Sequence, residues 1–162
     1  MYSKDHFLGA ISHEVKVIKH LASKIPTGAD NYKPTEKQRN LLELLQYLSI
    51  MTPAMLKMIL TVDYSTFAAY TAKSESTTRD NFDERMDESL TETTELFNQF
   101  TDEELDKEVD MFGTKQTKRL FLLNVLTMLA AYKMQLFLYI KSAGNAEIGT
   151  SNVWRGMDQT KA

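Results

Sequence analysis

The sequence predicts an all-α protein: a four-helix bundle with a short extra helix and an irregular C-terminal tail. Three observations carry that expectation. Apolar residues recur three and four apart over most of the chain, the spacing of one helix face. Six glycines and three prolines in 162 residues are too few to punctuate many short strands. No strand pattern extends beyond a few residues, and no internal repeat appears. At 18.6 kDa, with 43% hydrophobic and 25% charged residues, the chain has the size and balance of one globular domain. The bundle is expected over residues 1–145 and the tail over 146–162.

Helix 1 is expected over residues 3–25, with Phe7, Ile11, Val15, Ile18 and Ala22 as its inward stripe; Pro26 and Gly28 stop it. A loop, TGADNYKPTEKQ, leads to helix 2 near Gln38, which carries Leu41, Leu44, Leu45, Leu48 and Met51. Pro53 falls inside this pattern. It must kink the helix or start a fresh one, because it lacks the backbone donor and crowds the preceding turn. Polar residues 72–78 form a second connection. Asp80 is expected to cap helix 3, with Phe82, Met86, Leu90 and Phe97 inside. "TDEEL" at 101–105 has the capping-box form, Thr101 with Glu104, and opens the short extra helix. The last long helix is expected over 114–143, closed by Gly144. Trp154 is the one large anchor of the tail.

Composition also excludes function classes. The chain has no cysteine, so disulfides, thiolate metal sites and a cysteine nucleophile are ruled out. Charge and histidine arrive too early at the N-terminus for a signal-peptide core, and no apolar run reads as long enough to span a bilayer. A soluble cytoplasmic protein, with no membrane partner, is expected. The net charge of −3 is unevenly spread: residues 75–110 hold 14 acids against 3 bases, a balance of −11, and the rest carries +8. Such a segment reads as a solvated helix face, or as one side of a complementary dimer contact. The bases are dispersed and not interleaved with aromatics, so no nucleic-acid partner is expected.

The candidates for chemistry are few. His6, His13 and His20 recur every seven residues on helix 1 and fall within about 40° of one another, about 130–170° from the centre of the apolar stripe. They are expected on the solvated side, and i,i+7 spacing separates neighbours by about 10 Å along the axis. No HExxH, carboxylate-x-x-His, GxSxG or glycine-rich phosphate loop is present. Glu14 lies at the border of the apolar face, either snorkelling to water or serving as a pocket acid. In "LTMLAAYKMQLFLYIKSAG", residues 126–144, the polar Tyr132, Lys133 and Gln135 interrupt a buried-helix pattern. Met128 and Tyr132 are four apart and project from one face.

"KIPTGADNYKPTEKQRNLLELLQYLS", followed much later by "MLAAYKMQLFLYIKSAG", resembles the DinB-like (DinB/YfiT) superfamily of four-helix bundles. The family pattern has a proline turn, a second helix of form Y.P....S..ELL.H and a last helix of form H...H.GQL..YLR..G. The resemblance covers roughly residues 1–145. Its name denotes DNA-damage-inducible bundle proteins; nothing here resembles the translesion polymerase called DinB. In metal-binding members one histidine on the second helix and a His-x-x-x-His pair on the last hold a divalent ion. Those positions fall on Tyr47, Met128 and Tyr132, while Gln135 and Gly144 are kept. A thioether and two phenols do not replace three neutral imidazoles.

The resemblance therefore implies a member without the metal and without another cofactor. Tyr47, Met128, Tyr132 and Glu14 then mark a vacated metal site, with no catalytic residue. That site is either a polar plug, with the phenols paired to each other or to Glu14, or a pocket for a small molecule. A non-catalytic binding or interaction protein, forming a homodimer, is expected. The alternatives are a metal-independent transferase of the thiol type known among relatives, working through Tyr or Glu14, and a noncanonical metal site held by other ligands than the family pattern aligns.

Overall fold

The computed structural model describes residues 3–159; residues 1, 2 and 160–162, at the ends of the two expected segments, lie outside the described residues. In chain order the elements are α1 (Lys4–Ala22), α2 (Leu41–Thr61), α3 (Thr66–Ser74), α4 (Phe82–Asn98), α5 (Asp102–Asp106), β1 (Glu108–Met111), β2 (Thr114–Thr117), α6 (Lys118–Ser142) and α7 (Thr150–Arg155). The four long helices form the expected bundle. α1 packs against α6 and α4, and α2 packs against the same two. Phe7, Ile11, Val15 and Ile18 of α1 are buried as the periodicity requires, and Phe7 stacks on Phe97 of α4 at 4.6 Å.

Local chemistry sets the helix ends. Ser3 accepts from the His6 amide to open α1. Asn40 and Glu43 form a reciprocal capping box at α2, each accepting the other's backbone N–H at 2.8 Å. α2 then runs through Pro53 to Thr61, so no fresh helix starts at the proline. The break comes later, where Val62 takes a left-handed φ of 54° and the separate α3 begins. Asp80 does not cap α4. Asn81 occupies that place, and its side chain turns back to the Thr78 amide and the Ser76 carbonyl. Thr101 caps α5 through the Glu104 amide.

The last helix begins four residues later than expected. Residues 114–117 instead pair with β1 in an antiparallel hairpin, Met111 opposite Thr114 and Glu108 opposite Thr117. Phe112 and Gly113 turn the hairpin with φ of 55° and 71°. Thr117 then caps α6 by accepting from the Leu120 amide. Lys118, buried, donates to the Leu60 carbonyl and to Glu104, which moors α5 and the start of α6 to the end of α2.

Two further expectations are corrected. The tail is not wholly irregular, because residues 150–155 form α7, which packs on α1. Gly156, at a left-handed φ of 62°, lies so close to α1 that a Cβ would stand 3.2 Å from the Val17 Cα. That contact helps bury Val17 outside the apolar stripe read from the sequence. Both α2 and α6 are also long and apolar enough, by length and composition, to cross a membrane. The bundle accounts for α2, since 72% of its most apolar window is buried; for α6 the share is 33%. A core helix of a soluble protein has the same composition.

Candidate functional site

Tyr47 comes from α2 and Tyr132 from α6, and their rings meet at 4.9 Å between centroids, tilted by 59°. Both are half-buried. The Arg39 guanidinium covers the Tyr47 ring at 4.2 Å. Burial, followed by the neighbouring Tyr132 phenol, pushes the Tyr47 hydroxyl up to about 12. At neutral pH it is an uncharged hydroxyl.

Tyr47 and Met128 also belong to a cleft of about 650 Å³ between α2 and α6. Met55 and Met58 line it from α2, Phe121 and Asn124 from α6. Tyr64 and Phe67, after the α2 break, close one end together with Phe112, Thr114 and Gln116 of the hairpin. Among these lining residues there is no carboxylate, histidine, lysine or arginine. The tyrosine pair thus sits beside an uncharged, mostly apolar cleft.

Glu14 is not part of it. Its carboxylate meets Lys133 of α6 instead of the phenols, with Oε2 and Nζ 2.7 Å apart. Oε2 makes no hydrogen bond of acceptable angle, so the contact is an ion pair without directed geometry. Side-chain exposures of 15% for Glu14 and 2% for Lys133 place it in the α1–α6 seam. The Trp154 ring of α7 lies 4.9 Å from the ammonium. Gln135 is likewise elsewhere, donating to the Tyr139 hydroxyl at 2.8 Å.

The histidines divide. His6 and His13 are exposed, as expected, whereas His20 is half-buried. His13 and His20 hold the tail: His13 contacts the Trp154 carbonyl at 2.9 Å, and His20 lies 3.0 Å from the Asn152 amide and 3.6 Å from Asp158. Burial, reinforced by Lys24 and opposed by Asp158, holds His20 below its usual value.

The three positions implied by the family pattern do not suit a divalent ion of the zinc or nickel kind. A neutral phenol held near 12, a thioether and a second phenol supply no imidazole and no ready anion. Among the described residues no group of three or more His, Asp or Glu comes together to take such an ion. Tyr47 lies against Tyr132 and shares the cleft with Met128, whereas the rest of the cleft was not legible in the sequence. Met55, Met58 and Phe121 share the helical period of core residues. Tyr64 and Phe112 carried the one usable signal, large aromatics in loop-like sequence.

No family model matches the chain. Its sequence is 31% identical over 147 residues to an uncharacterized protein of Bacillus subtilis, YjoA, covering 88% of this chain and 90% of that protein. The crystal structure of the Bacillus subtilis protein, described as DinB-like, superposes with a TM-score of 0.71 at 24% identity, over 89% of this chain and 96% of that one. With this overlap in both sequence and fold, the chain belongs to the DinB-like superfamily of helical-bundle proteins.

Proposed function

We propose that this protein is a metal-independent, non-catalytic member of its superfamily that binds an apolar small molecule in the α2–α6 cleft. One observation carries the reading: the cleft takes in Tyr47 and Met128, at metal-ligand positions of the family pattern, yet has no charged lining residue. A volume of about 650 Å³ is that of a small-molecule site. General acid–base chemistry at neutral pH needs a group poised near 7. A phenol held near 12 is not such a group, which weighs against the transferase alternative.

The protein acts as a cytoplasmic homodimer in this reading. The outer face of α6 supports pairing, because Leu120, Leu123, Ala131 and Leu138 form an apolar stripe exposed in the single chain.

The test joins elemental analysis to titration with Nile red, a neutral solvatochromic dye. The expected result is no stoichiometric divalent metal, and saturable blue-shifted emission that Met128→Trp abolishes by filling the cleft. Stoichiometric zinc or nickel, lost on changing Tyr47, Met128 or Tyr132, would overturn the metal-independent reading. Absence of dye binding would overturn the cleft.

A further inference from the structure

The lining chemistry narrows the ligand, on the reading that the cleft binds a small molecule. We infer that the cleft selects an uncharged, planar aromatic molecule bearing one amide-like polar edge. The ring lies among the methionines and the Tyr64–Phe112–Phe121 group, and the polar edge meets Asn124 and Gln116.

Charge is the first discriminator. No lining residue offers a counter-ion, so a carboxylate, phosphate or ammonium would lose its hydration without replacement. Shape is the second. Tyr64 and Phe112 meet edge to face at 5.3 Å and 90°, and Phe112 and Phe121 lie 6.0 Å apart at 60°. Such an array presents both ring edges and ring faces, the two surfaces against which a further aromatic ring packs. Met55, Met58 and Met128 add thioethers, which make favourable contacts with ring edges and adapt to an imprecise outline.

Polar groups are the third. The Tyr64 hydroxyl is already engaged, accepting from the Phe112 amide at 2.7 Å. Among the described residues, no hydrogen bond engages the side-chain amides of Gln116 and Asn124, though both line the cleft. Each amide offers a donor and an acceptor, the complement of another amide or lactam edge.

Backbone strain points to the same rim. Among the described residues, Val62 and Phe112 are the two non-glycine residues with positive φ, at 54° and 55°. Val62 leads into Tyr64. Phe112 occupies the first turn position of the hairpin, where Asn, Asp or Gly is the unstrained choice. Such conformations persist only where the surrounding structure over-determines them, and they cluster at active sites and ligand clamps. Phe112 remains 52% exposed and Tyr64 50%, so the strain does not serve to bury them.

The experiment uses the full chain, with Nile red as reporter and naphthalene carboxamide, naphthoate and decanamide as competitors. The carboxamide should displace the dye at concentrations lower by about tenfold or more than either of the others. Asn124→Leu combined with Gln116→Leu is checked for folding by its circular-dichroism spectrum and thermal melt, independently of dye binding. The same variant should lose the preference for the carboxamide over unsubstituted naphthalene. Naphthoate or decanamide competing as well as the carboxamide, or a preference unchanged in the double variant, overturns the ligand class while leaving the cleft intact. Failure of Nile red to bind overturns the cleft and this inference with it.

Discussion

Tyr132→Phe removes one hydroxyl from the tyrosine pair and leaves Tyr47 half-buried beside a ring that no longer offers a polar partner. The expected cost is about 1 kcal/mol, the low end for an unmet buried polar group, because water still reaches one side. Tyr47→Phe with Tyr132→Phe should recover part of it, since both partners become apolar at similar shape. Thermal melts of the singles and the double decide, and additive near-zero effects would reject the pairing. Tyr47 also makes a pH prediction. Its folded value near 12 lies above the ordinary 10.0, so the folded state holds this proton more tightly than the unfolded chain. The stabilisation is complete below pH 10.0 and lost as the pH rises towards 12. Absorbance titration of phenolate should show a late component that Tyr47→Phe diminishes without abolishing, because burial and Glu92 also raise the Tyr70 phenol. In the α1–α6 seam, Lys133→Ala strands the Glu14 carboxylate, only 15% exposed, and should cost about 3 kcal/mol in urea denaturation. Lys133→Met with Glu14→Gln should recover most of that loss. Glu14 was recognisable at its helix edge from spacing alone, but its partner was not, because 119 residues separate the two in the chain.

At the scale of elements, the C-terminal helix is the piece least like its sequence. Six residues are too short to be stable as an isolated helix, so α7 depends on its dock against α1. That dock passes through His20, which takes the Asn152 amide as a neutral ring. Lys24 and Lys16 disfavour the charged ring and Asp158 favours it; burial decides the direction, and His20 titrates below 6.5. The folded state therefore binds this proton more weakly than the unfolded chain. Stability is complete above 6.5, declines as the pH falls towards the lowered folded value, and levels off beneath it. Trp154, the one tryptophan, reports on α7 directly. Its fluorescence should change through this window in the parent protein and stay flat in His20→Gln; an identical response in both would dismiss the idea. The hairpin tells a similar story. "MFGT" holds a turn signal in Gly113 alone, since Phe112 has no intrinsic preference for the left-handed region it adopts.

For the whole molecule, the uneven charge and the outer face of α6 belong to one question. Within the chain, Lys19 of α1 already answers part of the acidic segment, pairing with Asp83 and Asp87 of α4. The remaining acids leave a surface able to orient a partner, whereas the α6 stripe supplies apolar contact. A stable pair needs about 800 Å² from each subunit, and Leu138, 53% exposed, stands near one end of the stripe. Light scattering should give a dimer for the parent chain at micromolar concentration and a monomer for Leu138→Glu. A parent chain that stays monomeric would reject the pairing.

The sequence by itself determined the bundle and its family. Helical period, caps and stops are properties of neighbours a few residues apart, so the four long helices could be read in order. The proline turn and the Gln-Leu…Tyr…Gly signature led to the DinB-like fold, and the same alignment brought Tyr47, Met128 and Tyr132 to one place. Tertiary structure alone decided what surrounds them. Val62 breaks α2 where no proline or glycine marks an end, and residues 114–117 leave the helical pattern to pair as a strand. Those two departures bring Tyr64, Phe112 and Gln116 to the cleft that Asn124 lines from α6. Tertiary packing likewise turned Glu14 towards Lys133, and His13 and His20 towards α7. Local periodicity is silent on such choices, because a side chain's partner across the bundle is selected by packing between distant segments and not by its own helix.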